Sequence, residues 1–524
     1  MKTQPPKILL IISGAILFNI IFWHEKLGIN TIIFDMFICG STFFQFPYSL
    51  RNNISKWLFA VHLITGLLVL VENTMLSKIS FSVTLLLFIS FSQYIHRSAW
   101  YAGGSILLNY ALIVPNFFRE LKNIDSVRIN LSGWSRLLRL LLIPLFIFAI
   151  FFIIYSFANK VFSGITSDIA GIVTNWLDNF FDWFSPARLG FFLTGFLIVS
   201  GIILRSGNTF FSDTDLKQQN KLSRKKIYFK RWRESPFADL LSIITGKAAI
   251  GILALKNEFT TGIISLVLLN TLLLLVNIID FEYVWLGSAY NKDTDLSAYV
   301  HEGAGLLILS IILSMFLLLF FFRGNLNFYK KNKWLRYGAY LWIFQNSFLV
   351  LSVFMRDYYY ISHYGLAYKR IGLLFFLAMV LTGLFTIFIK IHNTKTTYYL
   401  LRINAWVAIS LLVFASFFNI DETMAEYNLE RKSFIPVDVS FLLSLSDDIL
   451  PLLENNRDVL KVNGDSFYYK GSHYNSAINL FEFRKKEFLE KQERYTWLSW
   501  NAADAHIKKF LSTSSGTLSS KNNH

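Results

Sequence analysis

The chain has 524 residues, of which 54% are hydrophobic and 17% aromatic, and its formal net charge is +16 at pH 7. So large an apolar fraction excludes an ordinary soluble globular protein of this length. The basic residues lie in short loops between apolar runs, so the positive charge does not indicate nucleic-acid binding. Because Cys39 is the only cysteine, an internal disulfide and a multi-cysteine metal site are excluded.

Twelve apolar runs are long enough to predict helices that cross a bilayer core of about 30 Å. They lie at residues 8–23, 29–46, 57–71, 79–95, 99–118, 137–158, 189–204, 259–280, 304–322, 335–355, 371–391 and 401–418. Several of the first five are short, which makes one of them a candidate re-entrant segment. The sequence therefore predicts an all-α fold, a polytopic helical membrane bundle of about 12 spans with a C-terminal extramembrane helical region.

Basic loops set the predicted orientation. Eight Lys or Arg residues between Lys217 and Arg233 place that loop in the cytoplasm, and five later spans place the region after Phe418 outside. Seven spans before the loop would leave Lys2 and Lys7 outside, against the usual bias, so we expect one of the first five runs not to span. The predicted domains are N-terminal membrane spans (1–206), a basic cytoplasmic loop (207–238), a second membrane bundle (239–420) and an extramembrane C-terminal region (421–524).

Two amphipathic helices are predicted outside the spans. Residues 160–186 carry apolar side chains at spacings of three and four, with acidic residues elsewhere on the wheel, which is typical of a helix lying along the external interface. The pattern of residues 479–511 predicts one long, charged amphipathic helix. Between them, residues 425–453 hold an apolar cluster that is too short to span, so we expect this segment to fold back onto the membrane domain near residues 358–364 and the 160–186 helix.

Two stripes of polar residues interrupt the apolar runs. Asn270, Asn277 and Asp280 lie within about 80° of one another on a helical wheel, and Gly338, Gln345, Ser352 and Arg356 form a similar stripe. Polar side chains at membrane depth are costly unless they face water or a partner, so both stripes should face inward. Two interpretations are compatible with these stripes. They form either a polar path or ligand cavity that ends at Asp280, Glu282, Glu302 and Arg356, or simple hydrogen bonds between helices. We expect Arg356 to pair with one of these three acids.

Three further candidate ligand residues lie near the ends of spans. His301 and Glu302 suggest a metal or acid–base site, but the run HEGAG supplies neither a third ligand nor the H-E-x-x-H spacing, so no metal is predicted. Tyr364 and Arg370 belong to a tyrosine-rich, basic external turn. That turn suits either an interfacial anchor or a site for an anionic lipid or glycan.

Several motifs resemble a known family. They are IDFEYVWLG from Ile279, SAYVHEG from Ser297, YGLAYKR from Tyr364, EYNLER followed by LSDDILPLL, and WLSWN from Trp497. Together they resemble a family of bacterial multipass membrane proteins catalogued as a domain of unknown function, over roughly residues 188–501. The resemblance implies the bacterial cytoplasmic membrane and no activity. The residues that match the family's patterns are Arg356, Tyr364, Gly365, Leu366, Arg370, Asn428, Arg431, Asp438, Leu445, Ser446, Asp448 and Pro451. Glu282 is a departure, because many members are expected to carry a basic residue at that position.

Three functions are compatible with these features. The first is a non-enzymatic envelope scaffold or signalling partner, favoured by the charged tail and by the lack of any nucleotide-binding or hydrolase motif. The second is a transporter or flippase of a small or lipid-linked substrate, favoured by the polar stripes. The third is a membrane-embedded transferase that uses carboxylates. The predicted partners are the lipid bilayer and a membrane or envelope protein, with no nucleic acid and no cofactor.

Overall fold

The computed structural model of the protein describes residues 7–50, 52–122, 185–224, 252–286, 296–329, 331–431, 437–461 and 467–521, together with the isolated residues 144 and 148. Within these ranges the fold is all-α except for one short hairpin, which confirms the predicted all-α class. Helices satisfy their own backbone donors and acceptors, so long apolar helices of this kind are compatible with a lipid environment.

Four helices open the chain. They are α1 (Lys7–Phe22), α2 (Ile29–Gln45), α3 (Asn53–Val71) and α4 (Met75–Gln93). Helices α3 and α4 are long and apolar enough to cross a membrane, whereas α1 and α2 are apolar but shorter. Thr74 caps the start of helix α4, because its side chain accepts a hydrogen bond from the backbone N–H of Ser77.

The predicted span at 99–118 is corrected by the structure. Two short helices replace it, α5 (Ala99–Ala111) and α6 (Ile113–Lys122), which contain 13 and 10 residues. Neither length crosses a bilayer core at 1.5 Å per residue. The next described helix is α7 (Pro186–Ile203), which is long and apolar enough to span.

In the ranges given above, five longer helices and one short helix follow. The short helix is α8 (Phe210–Lys217), and the others are α9 (Ile252–Asp280), α10 (Leu296–Phe321), α11 (Lys333–Tyr364), α12 (Tyr368–His392) and α13 (Thr397–Ala415). A π-helical turn, Phe281–Trp285, extends α9. Extended α9, α11, α12 and α13 could each cross a membrane, and α10 contributes a shorter apolar stretch, Gly305–Phe321. Among the described residues, seven helices in all are long and apolar enough to span.

The chain divides into two compact units. Unit 1 comprises Met1–Lys56, Ser105–Thr209 and Tyr495–Ser499, and unit 2 comprises Trp57–Gly104, Phe210–Arg494 and Trp500–His524. In unit 1, α1 and α7 pack so closely that a Cβ atom at Gly195 would overlap the ring of Phe18. Small residues permit such an approach between apolar helices.

Unit 1 has a distinct group of contacts at each end of α1. At the start of α1, the Lys7 ammonium pairs with Glu120 of α6 at 2.5 Å. The side chain of Asn109 in α5 accepts from the backbone N–H of Ser206, just after α7, at 3.0 Å. Beyond the other end of α1, Glu25 accepts from the backbone N–H of Thr496. Helices α5 and α6 therefore contact the start of α1 and the residues just after α7.

The C-terminal part of unit 2 has an apolar core of its own. It contains α14 (Ile420–Glu430), α15 (Val439–Leu442), α16 (Leu450–Asn455), a hairpin of β1 (Phe467–Tyr469) and β2 (Ser472–Tyr474), α17 (Ala477–Arg494) and α18 (Ala502–Lys521). The two strands are antiparallel, and Phe467 is opposite Tyr474. Residues at the centre of this core are Met424, Leu442, Ile449, Leu453, Phe481 and Leu511.

The prediction of a single helix at 479–511 is wrong. Helix α17 ends at Arg494, and α18 begins only after Asn501. The Asn501 side chain accepts from the backbone N–H of Asp504 at 2.9 Å, which starts a new helix. The amphipathic helix predicted at 160–186 and the span predicted at 137–158 lie almost entirely outside the described residues, as does the basic loop beyond Arg224.

Candidate functional site

Helix α9 presents one narrow buried stripe. Its buried residues are separated by three or four positions, and they are Gly262, Leu266, Asn270, Leu273, Asn277 and Asp280, with Val284 in the following turn. A repeat of this kind keeps one face of a helix against a single partner. The partner is α11, and the surface between the two helices is called here the α9–α11 seam.

Hydrogen bonds connect the two helices at regular intervals. The Asn270 side chain donates to the backbone carbonyl of Gly338 at 3.1 Å, and that of Asn277 donates to the carbonyl of Gln345 at 3.2 Å. In both pairs the partner lies 68 residues further along the chain, so the two helices run parallel. The polar stripes that the sequence predicts to face inward therefore face each other.

The seam ends at a buried ion pair. The Arg356 guanidinium donates to the Asp280 carboxylate, and the two residues are only 7% and 4% exposed. Trp285 lies in the turn after Asp280, and its indole N–H donates to the Ser352 hydroxyl of α11 at 3.2 Å. The expected pairing of Arg356 is thus confirmed for Asp280. Glu282 lies on the exposed side of the π-helical turn, and the side chains of His301 and Glu302 lie outside the described residues.

Three buried amide oxygens in the seam, besides one carboxylate oxygen of Asp280, accept no hydrogen bond from any described residue. They are the side-chain carbonyl oxygens of Asn270, Asn277 and Gln345. A buried acceptor without a donor costs about 1–3 kcal/mol, so a bound water or a polar substrate would be stabilised at these positions. The side chains of Asn270 and Asn277 therefore use their N–H donors, but not their oxygens, in the contact between the helices.

A second site lies where α11 ends. Gly365 has a φ of +79°, and the Asn428 side chain of α14 both accepts from the Leu366 backbone N–H (2.7 Å) and donates to the Leu366 carbonyl (2.9 Å). Arg370 donates to the Tyr364 and Gly365 carbonyls, and Arg431 donates to the Ser362 carbonyl at 3.2 Å. Gly365, Leu366, Arg370, Asn428 and Arg431 are called the Gly365 clamp.

The clamp brings together two patterns that are far apart in sequence. The Tyr364–Arg370 motif and the Asn428–Arg431 motif, both named by the family resemblance, meet there. The Tyr364 ring is half exposed, while the Arg370 guanidinium stacks 4.3 Å from the centroid of the Tyr360 ring. The predicted return of residues 425–453 to the tyrosine-rich turn is therefore confirmed, whereas contact with the 160–186 helix lies outside the described residues.

Other residues of the second pattern support the local fold. Asp438 begins α15 by accepting from the Phe441 backbone N–H at 2.8 Å. Asp448 accepts from the Asn419 side chain, and the Ser446 backbone N–H donates to Asp421 at 2.9 Å. These contacts are structural, so these residues of the pattern hold the fold of the C-terminal part of unit 2.

Replacing Gly365 by alanine should destabilise the protein by about 2 kcal/mol or more. A left-handed backbone costs a residue with a Cβ atom about 1–2 kcal/mol, and the new Cβ would overlap the Asn428 side-chain oxygen. Chemical unfolding of the purified protein measures the loss. Gly471→Ala is the matched control, because its φ is +80° and no atom lies within 4 Å of the added carbon. Equal losses in the two variants would show that the clamp contributes nothing.

A buried carboxylate that sequence reasoning missed lies in unit 2. Asp215 of α8 is fully buried and accepts from the Arg97 and Ser98 backbone N–H groups, the Tyr398 hydroxyl and the His96 ring. Burial acts to raise the pKa of this carboxyl, but these hydrogen bonds hold the pKa below its ordinary value. In the sequence, Asp215 is an ordinary acidic residue at the start of a basic loop. No spacing between residues predicts its contacts with residues 96–98 or 398.

Carboxylates also gather around α14. Burial, together with the charges of Asp448, Glu72 and Glu426, raises the pKa of Glu422, and burial and Asp448 raise the pKa of Glu72. An acid whose pKa is higher in the folded chain stabilises the fold below its unfolded pKa. That contribution is lost as pH rises through the folded pKa.

Glu422→Gln should therefore raise the thermal midpoint at pH 7 to 8, and the gain should shrink towards zero near pH 4, where the wild-type carboxyl is also neutral. Thermal unfolding of both proteins across this pH range measures the effect. Glu430→Gln, at the exposed end of α14, is the control and should show no such pH dependence. A gain for Glu422→Gln that persists undiminished at pH 4 would contradict charge repulsion as the cause.

Comparison with known proteins adds one match. A family model described as "Domain of unknown function (DUF4153)" matches residues 36–456, which is most of the chain. The match begins well before the region that the motifs resemble and ends before the WLSWN motif. A search of curated proteins returned no match, and a search of solved structures returned none either.

Proposed function

The chain belongs to the family described as domain of unknown function DUF4153, and from that premise we propose that it is a non-enzymatic scaffold or signalling partner in the bacterial envelope. The closure of the α9–α11 seam carries this proposal. The side chains of Asn270 and Asn277 donate hydrogen bonds to the backbone of α11, and Asp280 forms an ion pair with Arg356 of the same helix. A transporter of polar substrates needs those groups to line a path, whereas a scaffold needs them to hold two helices in register.

The Gly365 clamp supports a scaffold independently. Helix α11 has 32 residues and is therefore about 48 Å long, more than the thickness of a bilayer core. Its end is joined to α14 through both hydrogen-bonding groups of Leu366. A helix that crosses the membrane and is tied to a folded extramembrane domain would present that domain in a fixed orientation to a membrane or envelope protein.

An eleven-span topology in the bacterial cytoplasmic membrane fits this role. It comprises the seven long apolar helices, the shorter α1, α2 and α10, and the predicted span at 137–158. Because α5 and α6 do not span, six spans precede the basic loop, and the N-terminus and this loop share the cytoplasmic side. Five spans then place the C-terminal domain outside, which removes the conflict over Lys2 and Lys7.

A transporter or flippase is the second candidate, and the three acceptors without donors in the seam favour it. A polar solute or a chain of waters could satisfy the oxygens of Asn270, Asn277 and Gln345. The transferase interpretation has no comparable support in the described part of the chain, because it requires Glu302 beside Asp280 and Arg356.

Cysteine accessibility distinguishes the two candidates. In a Cys39→Ser background, Gln345→Cys and Ser352→Cys place single thiols inside the seam, while Ser223→Cys and Ser512→Cys mark the two sides. We expect a membrane-impermeant thiol reagent to label the two markers from opposite sides and to label the seam thiols only after unfolding. Labelling of both seam positions in the folded protein would demonstrate a water-filled path and favour transport. Labelling of the two markers from the same side would contradict the topology.

A further inference from the structure

We propose that the surface around Tyr398 binds the headgroup of an anionic phospholipid through Arg97, Lys221, Lys395 and Arg402. This site is separate from the α9–α11 seam and does not depend on the proposed function. The argument rests on three segments of unit 2 that the fold brings together, residues 94–98, 215–222 and 394–402.

Hydrogen bonds hold these three segments in place. Asp215 joins the first two through the backbone N–H groups of Arg97 and Ser98. The third segment pairs with the second, since the Thr396 N–H donates to the Asn220 carbonyl (3.1 Å) and the Leu222 N–H donates to the Thr394 carbonyl (2.9 Å). The basic side chains therefore project from a fixed framework, which lowers the entropy lost on binding a ligand.

Two pairs of cations lie on these segments. The guanidinium carbons of Arg97 and Arg402 lie 5.6 Å and 5.9 Å from the centroid of the Tyr398 ring. Lys395 lies 5.3 Å above the Tyr399 ring, and its backbone pairs with that of Lys221. Within the described ranges of the chain, none of the four forms an ion pair with a carboxylate. Asp215, the acid within the cluster, is fully buried and already accepts from four groups.

The surroundings indicate a lipid and not a soluble anion. Tyr398 lies in the first turn of α13, a helix apolar enough to span, so the cations are expected at the level of phosphate groups. Large apolar side chains are exposed on the same three segments or immediately beside them. These are Trp100 (70% exposed), Phe210 (61%), Leu216 (45%) and Leu401 (52%). Arginine guanidinium groups donate paired hydrogen bonds to phosphate oxygens, and exposed apolar side chains contact acyl chains. One diacyl lipid would therefore bind both parts of this surface.

Native mass spectrometry of the full chain in a neutral detergent tests the site. Dihexanoyl phosphatidylglycerol should bind at least tenfold more tightly than dihexanoyl phosphatidylcholine, and inorganic phosphate should not displace it at equal concentration. Lys221→Gln with Lys395→Gln should weaken phosphatidylglycerol binding about 30-fold, since each cation near a charged surface contributes about 1 kcal/mol. The matched control, Lys331→Gln with Lys333→Gln, removes two exposed cations elsewhere in unit 2 and should stay within twofold of wild type.

Each alternative result overturns the proposal. Equal binding of the two lipids would show that charge is not recognised, and displacement by inorganic phosphate would show a site for free anions. A loss in the control equal to that in the test variant would show general attraction to a basic surface. If the Gln variant fails to fold, Lys221→Arg with Lys395→Arg keeps both charges and must retain binding. None of these outcomes depends on whether the seam is closed.

Discussion

Arg356→Ala should lower the free energy of unfolding by about 3–5 kcal/mol, among the largest losses expected for one side chain of this protein. The substitution leaves the Asp280 carboxylate buried in the seam without its cation. An unpaired buried charge costs much more than the pair contributes, because water no longer solvates it. Unfolding of the purified protein by increasing SDS in mixed micelles measures the loss.

Two further variants make the Arg356 result specific. Lys369→Ala removes an exposed cation just beyond the end of α11 and should change stability by less than about 0.5 kcal/mol. Asp280→Leu combined with Arg356→Met removes both charges and should recover most of the loss, since replacing a buried pair by apolar side chains is often nearly neutral. If Arg356→Ala is as stable as Lys369→Ala, the ion pair does not hold the seam.

Arg484→Met should destabilise the C-terminal part of unit 2 by a similar amount, about 3–5 kcal/mol. The Arg484 guanidinium of α17 is buried and donates to the carbonyls of Leu443 and Leu445, both at 2.9 Å, and to Asp447 at 2.6 Å. Methionine keeps the apolar stem but satisfies none of these three acceptors. Limited proteolysis of residues 437–461 should detect the local opening together with a lower thermal midpoint.

Lys486→Met is the control for Arg484→Met. It lies two residues further along α17, and its side chain is 78% exposed. A surface substitution of this kind should change stability by less than about 0.5 kcal/mol. Indistinguishable proteolysis of the two variants would mean that Arg484 does not support the turn at Leu443–Asp447.

The seam and the clamp connect through α11. Arg356 secures this helix to α9, and Leu366, ten residues later, joins its end to α14. If the protein signals, movement of α11 along the seam would reach the C-terminal domain through the clamp. Gly365→Ala and Arg356→Ala therefore interrupt the connection between α9 and α14 at two different points. Each substitution should weaken binding of the proposed envelope partner.

Polar residues within apolar runs are enough to predict much of the seam from the amino-acid sequence. Asn270 and Asn277 are seven residues apart, as are Gln345 and Ser352, so each pair has to fall on one helix face. Because lipid cannot satisfy an amide or a carboxylate, those faces have to meet protein. The sequence by itself therefore determined the all-α class, most apolar helices, the inward stripes and the pairing of Arg356 with a nearby acid.

Only the tertiary structure decided features that depend on contacts distant in sequence. The run at 99–118 is two helices because Pro115 has no backbone N–H to continue the first one. The run itself does not reveal that Asn109 and Glu120 have partners at Ser206 and Lys7. Asp215 has no periodic neighbour, and its four donors come from distant parts of the chain. Likewise, Asn428 recognises the backbone of Leu366, which any residue there would present equally. Hydropathy and spacing report on one helix at a time, whereas these contacts follow from how helices pack, and packing is a property of the whole chain.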